Sequence, residues 1–228
     1  MSKYEPILRK IESWIWYEEN QPKTNDFRVK NEFRSKYDLD CVLNDGNLYA
    51  DTIFSLWLPL RAALVDNNGY LTLNKIGNIN RRHEFLKKIV CEDILSTLLP
   101  YNETTDLLIE LFYLGQMKVN TMILPDRKLQ IKGKECFDYM PWFLLECFDG
   151  GKYNFAFKRI SVEDWIENQK MNAFFMGNII SRENIKDLAE TGNLRDNKTK
   201  DLSVLFSNYI LILKERLSIM SDGVKCIK

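Results

Sequence analysis

Seven large apolar residues, Leu202, Leu205, Phe206, Tyr209, Leu213, Leu217 and Met220, recur along the segment 199–221 at spacings of three and four, save for adjacent Leu205 and Phe206. That repeat places them on a single stripe of a helix, with Gly223 as its expected stop. A stripe this long is stable only when buried, so it constrains the rest of the chain to supply packing partners. Other helical patterns supply them. Ile7, Leu8, Ile11, Trp14 and Ile15 share one face of a predicted helix over 5–18, with Glu12, Glu18 and Glu19 off it.

Further helices are predicted over 48–65, interrupted at Pro59, over 80–99, ended by Pro100, and over 104–114. Asn102 or Thr104 is the expected cap of the last of these, and Gly115 its close. A shorter helical or irregular stretch falls at 26–37. VNTMIL at 119–124 and KLQIK at 128–132 are strand-like and flank Pro125-Asp126, so a small hairpin is expected over 119–132, with a further short strand near 70–74 after Asn68-Gly69. Helical patterns resume at 138–148, 161–170, 171–176 and 182–190. The expected fold class is mainly α: a single compact helical domain over 1–228 with a small β-hairpin insertion. Its predicted core is Ile11, Trp14, Phe54, Trp57, Leu58, Phe85, Ile89, Leu108, Phe112, Trp142, Leu145, Trp165, Phe174, Phe175, Leu205, Tyr209 and Leu213.

Composition narrows the class. Hydrophobic residues make up 45% and charged residues 28%, as in ordinary globular domains. No apolar run approaches the roughly 20 residues of a membrane helix. The start MSKYEPILRK lacks the apolar centre of a signal peptide. Five cysteines, an odd number with no CxxC pair, read as reduced thiols, so a cytoplasmic protein is expected. The 32 basic and 32 acidic residues cancel, which is not the bulk charge of a dedicated nucleic-acid binder.

ISVEDW at 160–165 and ISRENI at 180–185 are nearly the same six letters. Each reads as a helix start. Ser161 and Ser181 suit N-caps, and Ile160 with Trp165, and Ile180 with Ile185, sit at staple spacing. Glu163, Asp164 and Glu183 favour the positive helix end and would repel a phosphate there. Two copies with unrelated bodies do not make a solenoid.

Chemical motifs are scarce. His83 is the only histidine, which excludes multi-histidine metal sites within one chain, and it is read as a surface residue. Glu135, Asp138, Glu146 and Asp149 cluster along ECFDYMPWFLLECFDGG, a pattern shared by solvated faces and magnesium sites. ILPDRKLQIK approaches the Pro-Asp and Gln-x-Lys signature of a family of metal-dependent nucleases. Only three residues separate Asp126 from Gln130, too few to bring two adjacent strands into register, and Pro125-Asp126 is better read as a turn. Gly150-Gly151-Lys152 lacks the remainder of a phosphate loop. No cofactor or metal site is expected.

Two basic clusters remain. Residues 75–88 include Arg81, Arg82, Lys87 and Lys88, and residues 127–134 include Arg127, Lys128, Lys132 and Lys134. On one side of the fold they would form a positive surface suited to phosphates or to an acidic protein face.

The stretches LPDRKLQIKGKECFDYMPWFLLECFDGG at 124–151 and WIENQKMNAFFMGNIISRENIKDL at 165–188 resemble a family of mainly Gram-positive bacterial proteins of about this length, which has no assigned activity. The similarity would span roughly 48–220. It supplies no catalytic residues, and it implies a link to mobile genetic elements, in phage defence or counter-defence. The expectation is a non-enzymatic protein-interaction or regulatory protein whose partner is another protein and not a membrane. The alternatives are nucleic-acid binding through the two basic clusters and a magnesium-dependent hydrolase using Asp126, Glu135 or Glu146.

Overall fold

The computed structural model describes residues 2–20, 50–52, 56–68, 79–123, 157, 160–171 and 201–225. These residues are mainly helical. The elements are α1 (Glu5–Asn20), β1 (Ala50–Thr52), α2 (Trp57–Asn68), α3 (Ile79–Ile89), α4 (Glu92–Leu98), α5 (Glu103–Gly115), a 3-10 turn (Lys118–Asn120), β2 (Thr121–Ile123), α6 (Val162–Asn168) and α7 (Leu202–Lys225).

α5 is the centre of the packing and meets α1, α2 and α7. It carries buried Leu108, Leu111, Phe112 and Leu114. Its start is set by Asn102, whose extended backbone lets its side chain accept from the Thr105 N–H at 2.8 Å. α7 brings the C-terminal stripe onto this core through Leu202, Phe206, Tyr209 and Leu213, with Ile210 and Ile212 widening it. Burial pushes the Tyr209 phenol far above its ordinary range. α1 adds Ile7 and Ile11, both fully buried. Trp14 joins three helices, meeting Trp57 of α2 edge-on at 5.9 Å and Phe112 of α5 at 6.2 Å between ring centroids.

Polar ties fix the chain ends of these helices. The Tyr4 hydroxyl donates to the Leu99 carbonyl at 2.6 Å, tying the start of α1 to the end of α4. The Gln116 amide donates to the Pro6 carbonyl at 2.8 Å, tying the end of α5 to α1.

Several expectations change here. Residues 48–65 are not one interrupted helix. Ala50–Thr52 is a strand, and Pro59 lies in the first turn of α2, where the first helical bond is that of Leu60 to Leu56, so the missing proline N–H removes nothing. The segment 80–99 is two helices. Cys91 is extended at φ −106°, ψ 133°, and caps α4 through its carbonyl, which accepts from Leu95 at 2.9 Å. Lys87 and Lys88 close α3 and Glu92 and Asp93 open α4, each pair placed to suit its helix dipole. Gly223 does not stop α7, which runs to Lys225.

The hairpin is also revised. Thr121–Ile123 is a strand as the pattern suggests, but it pairs antiparallel with Ala50–Thr52, with Met122 opposite Asp51. Its expected partner at 128–132 lies outside the described residues, as do the segments 26–37, 70–74, 138–148 and 182–190, with Ser181. Of the predicted core, Ile11, Ile89, Leu108, Phe112, Trp165, Tyr209 and Leu213 are buried, while Trp14, Trp57, Phe85 and Leu205 pack against it partly exposed. Phe54, Trp142, Leu145, Phe174, Phe175 and the Leu58 side chain lie outside the described residues.

Candidate functional site

The basic helix α3 presents Lys87 and Lys88 to solvent. Lys87 is already engaged: its amine pairs with the Glu19 carboxylate at the end of α1. That hydrogen bond holds the Glu19 carboxyl below the usual range, with Lys87 and His83 adding attraction. His83 is only partly at the surface. Its side chain is only 21% exposed, its Nε2 lies 3.7 Å from the same Glu19 oxygen, and its Nδ1 is buried without a hydrogen-bond partner among the described residues. Spacing of four along α3 puts His83 and Lys87 on the face turned towards α1. Arg81 and Arg82 lie in the first turn of α3. The second cluster, Arg127, Lys128, Lys132 and Lys134, lies outside the described residues, as do Asp126, Glu135, Asp138, Glu146 and Asp149.

A different surface is built across α5 and α7. Val204 and Leu211, 55% and 45% exposed, are two turns apart on α7 and share its outward face. Lys214, one turn past Leu211, forms an ion pair with Glu110 of α5. Tyr113, one turn past Glu110, is 58% exposed. The strip thus runs from aliphatic side chains through an ion pair to an aromatic ring. Of these residues tyrosine is the type enriched at protein contact surfaces, and the exposed aliphatic side chains offer apolar area beside it. In the sequence it is masked by the stronger buried stripe of α7. The signal was there: Val204 and Leu211 are apolar at positions opposite that stripe.

Behind this strip, the inner side of α7 carries Arg216, 3% exposed. Its Nε and Nη2 donate to the Gln169 carbonyl at 3.1 and 2.9 Å, and its Nη1 donates to the Val119 carbonyl. Gln169 ends α6, whose start is Ser161: that hydroxyl accepts from the Asp164 N–H at 3.0 Å, as the first hexad suggests. At the other end Lys170 is left-handed at φ 55°, while Lys170 donates to Glu167 at 3.0 Å and Met171 to Ile166 at 2.9 Å. This is a Schellman closure made without glycine.

Among the described residues no helix is long and apolar enough to cross a membrane. No family model, no curated protein and no solved structure matches the chain.

Proposed function

We propose that the chain is a non-enzymatic protein-interaction or regulatory module that meets a protein partner through the Val204–Leu211–Tyr113 strip. The observation that supports this reading is the exposure of these three apolar side chains on adjoining faces of two helices whose other faces are buried. Single exposed apolar residues are ordinary, but these three lie on the two helices joined at the surface by the Lys214–Glu110 pair, an arrangement suited to burial against another surface. Nucleic-acid binding has less support, because Lys87 is spent on Glu19 and Lys88 stands beside exposed Glu84.

The test is purification from cells at low salt, with ultraviolet absorbance and light-scattering mass measured together. The reading predicts a protein complex heavier than the 27.0 kDa chain, free of nucleic acid and dissociated by Leu211→Asp. A lone chain, or nucleic acid that leaves as salt rises, contradicts it.

A further inference from the structure

We propose that the occupant of the Val204–Leu211–Tyr113 surface is a basic amphipathic segment of a partner protein, apolar along one row and rich in lysine or arginine along the next. This rests on the reading above and adds the chemistry of the partner. Two rows of side chains lead there. On α5, Glu103, Asp106, Glu110 and Tyr113 follow at spacings of three and four, so they line one face. Glu103, Asp106 and Tyr113 are exposed, and Glu110 is partly so. On α7, Val204, Ser207, Leu211 and Lys214 repeat the same spacing, and all four are exposed. The two helices pack together, and the Lys214–Glu110 pair joins the rows. One row is acidic and ends in an aromatic ring, and the other carries the aliphatic side chains.

Charge complementarity selects the occupant. The helix dipole accounts for Glu103 and Asp106 in the first turn of α5, but not for a row carried on to Glu110. Asp106 and Glu110, four apart, repel each other, and α5 contains no lysine or arginine to offset them. Lys214 is the one cation on the two rows, and it is engaged by Glu110. Among the described residues Glu103 and Asp106 are in no ion pair. The chain as a whole is neutral, so this acidity is local. A purely apolar partner would bury these carboxylates unpaired, which is costly. Nucleic acid or an acidic partner would be repelled. A second copy docked through the same face offers only Lys214 as a cation, and Lys214 is spent. A basic row over α5 beside an apolar row over α7 satisfies both helices at once, which is the pattern of an amphipathic helix.

Fluorescence anisotropy of a labelled peptide titrated with the full chain tests this. The probe is a synthetic amphipathic helical peptide of leucine and lysine, and its twin carries glutamate at every lysine position. The lysine peptide should bind and the twin should not, and binding should weaken as salt rises. Glu103→Gln with Asp106→Asn should weaken it at least about fivefold, and so should Leu211→Ala. Glu163→Gln with Asp164→Asn, which also removes two first-turn carboxylates but on α6, should change it less than about twofold. Glu110→Gln decides the matter if the α5 double variant does not fold, since it also frees Lys214 to repel the peptide. No binding of the lysine peptide, equal binding of the twin, or equal effects of the α5 and α6 pairs would overturn the proposal. The native complex separates it from the reading on which it rests. A complex lost on Leu211→Asp but indifferent to Glu103→Gln with Asp106→Asn overturns the basic partner and keeps the docking surface. A complex indifferent to Leu211→Asp overturns both.

Discussion

Arg216 on α7 is buried and donates to carbonyls from two distant parts of the chain, whereas Lys87 on α3 is half exposed and meets one carboxylate at the rim of α1. Both are cations on helices, and their surroundings give them different work. Arg216 itself is buried, as is its bond to the Val119 carbonyl, while its bonds to the Gln169 carbonyl are partly buried, so the Val119 bond is the costly one to lose. Around Lys87 water competes for both charges, and the pair contributes little. Burial, more than charge, decides which cation organises the fold.

The largest effect should come from Arg216→Met, which removes the buried bond to the Val119 carbonyl and the two bonds to the Gln169 carbonyl. A loss of about 3 kcal/mol is expected from urea unfolding, against less than about 1 kcal/mol for Lys87→Met. Equal losses would break the contrast.

Gly115→Ala comes next and extends the contrast to packing. A Cβ there would lie 2.5 Å from Leu56 Cδ2, and Leu56 is itself buried. The expected loss is about 1–2 kcal/mol. Leu56→Ala should remove most of that penalty in a double-mutant cycle, since it removes the atoms in collision.

Asn102→Ala should cost about 1 kcal/mol, the usual value of an N-cap. Thermal unfolding would show it, and a neutral result would mean that the start of α5 is set by packing alone.

The smallest effect separates the Glu19 pair from the core by pH. The folded-state Glu19 carboxyl lies below its unfolded value, so its contribution is complete above the unfolded value and is lost as pH falls through the lowered one. With both partners exposed, that contribution is under about 1 kcal/mol. The stability gap between the unaltered chain and Glu19→Gln should therefore close between neutral and acid pH. A gap that widens on acidification would reverse the assignment.

What was legible in the sequence was the periodic part. The α1 face, the Asn102 cap, the Ser161 cap and the α7 stripe, apart from exposed Leu217, are local patterns, the caps set by one hydrogen bond each and the faces by spacing. The break at Val90–Cys91 was hidden because 80–99 keeps an apolar helical rhythm across it, although the change from Lys87-Lys88 to Glu92-Asp93 marks a helix end followed by a helix start. The pairing of Ala50–Thr52 with Thr121–Ile123 was hidden because it spans some seventy residues of chain and no local pattern specifies a partner that far away. Arg216 reads as one more surface cation on a helix. Its burial follows from where α6 and the turn after α5 come to rest, which is a tertiary fact. The exposed strip was hidden for the same reason, since Lys214 and Glu110, which link its two halves, pair only once α5 and α7 have packed.

The central claim is that the outward strip of α5 and α7, rather than the basic helix α3, is where this chain meets its partner. Photo-crosslinking residues placed singly at position 211 and at position 88, activated in the native cell, test it most directly. The account predicts protein adducts from 211 that are lost on adding Tyr113→Ala and Val204→Asp, with no nuclease-sensitive adduct from 88. Nuclease-sensitive adducts at 88 with none at 211 would contradict it.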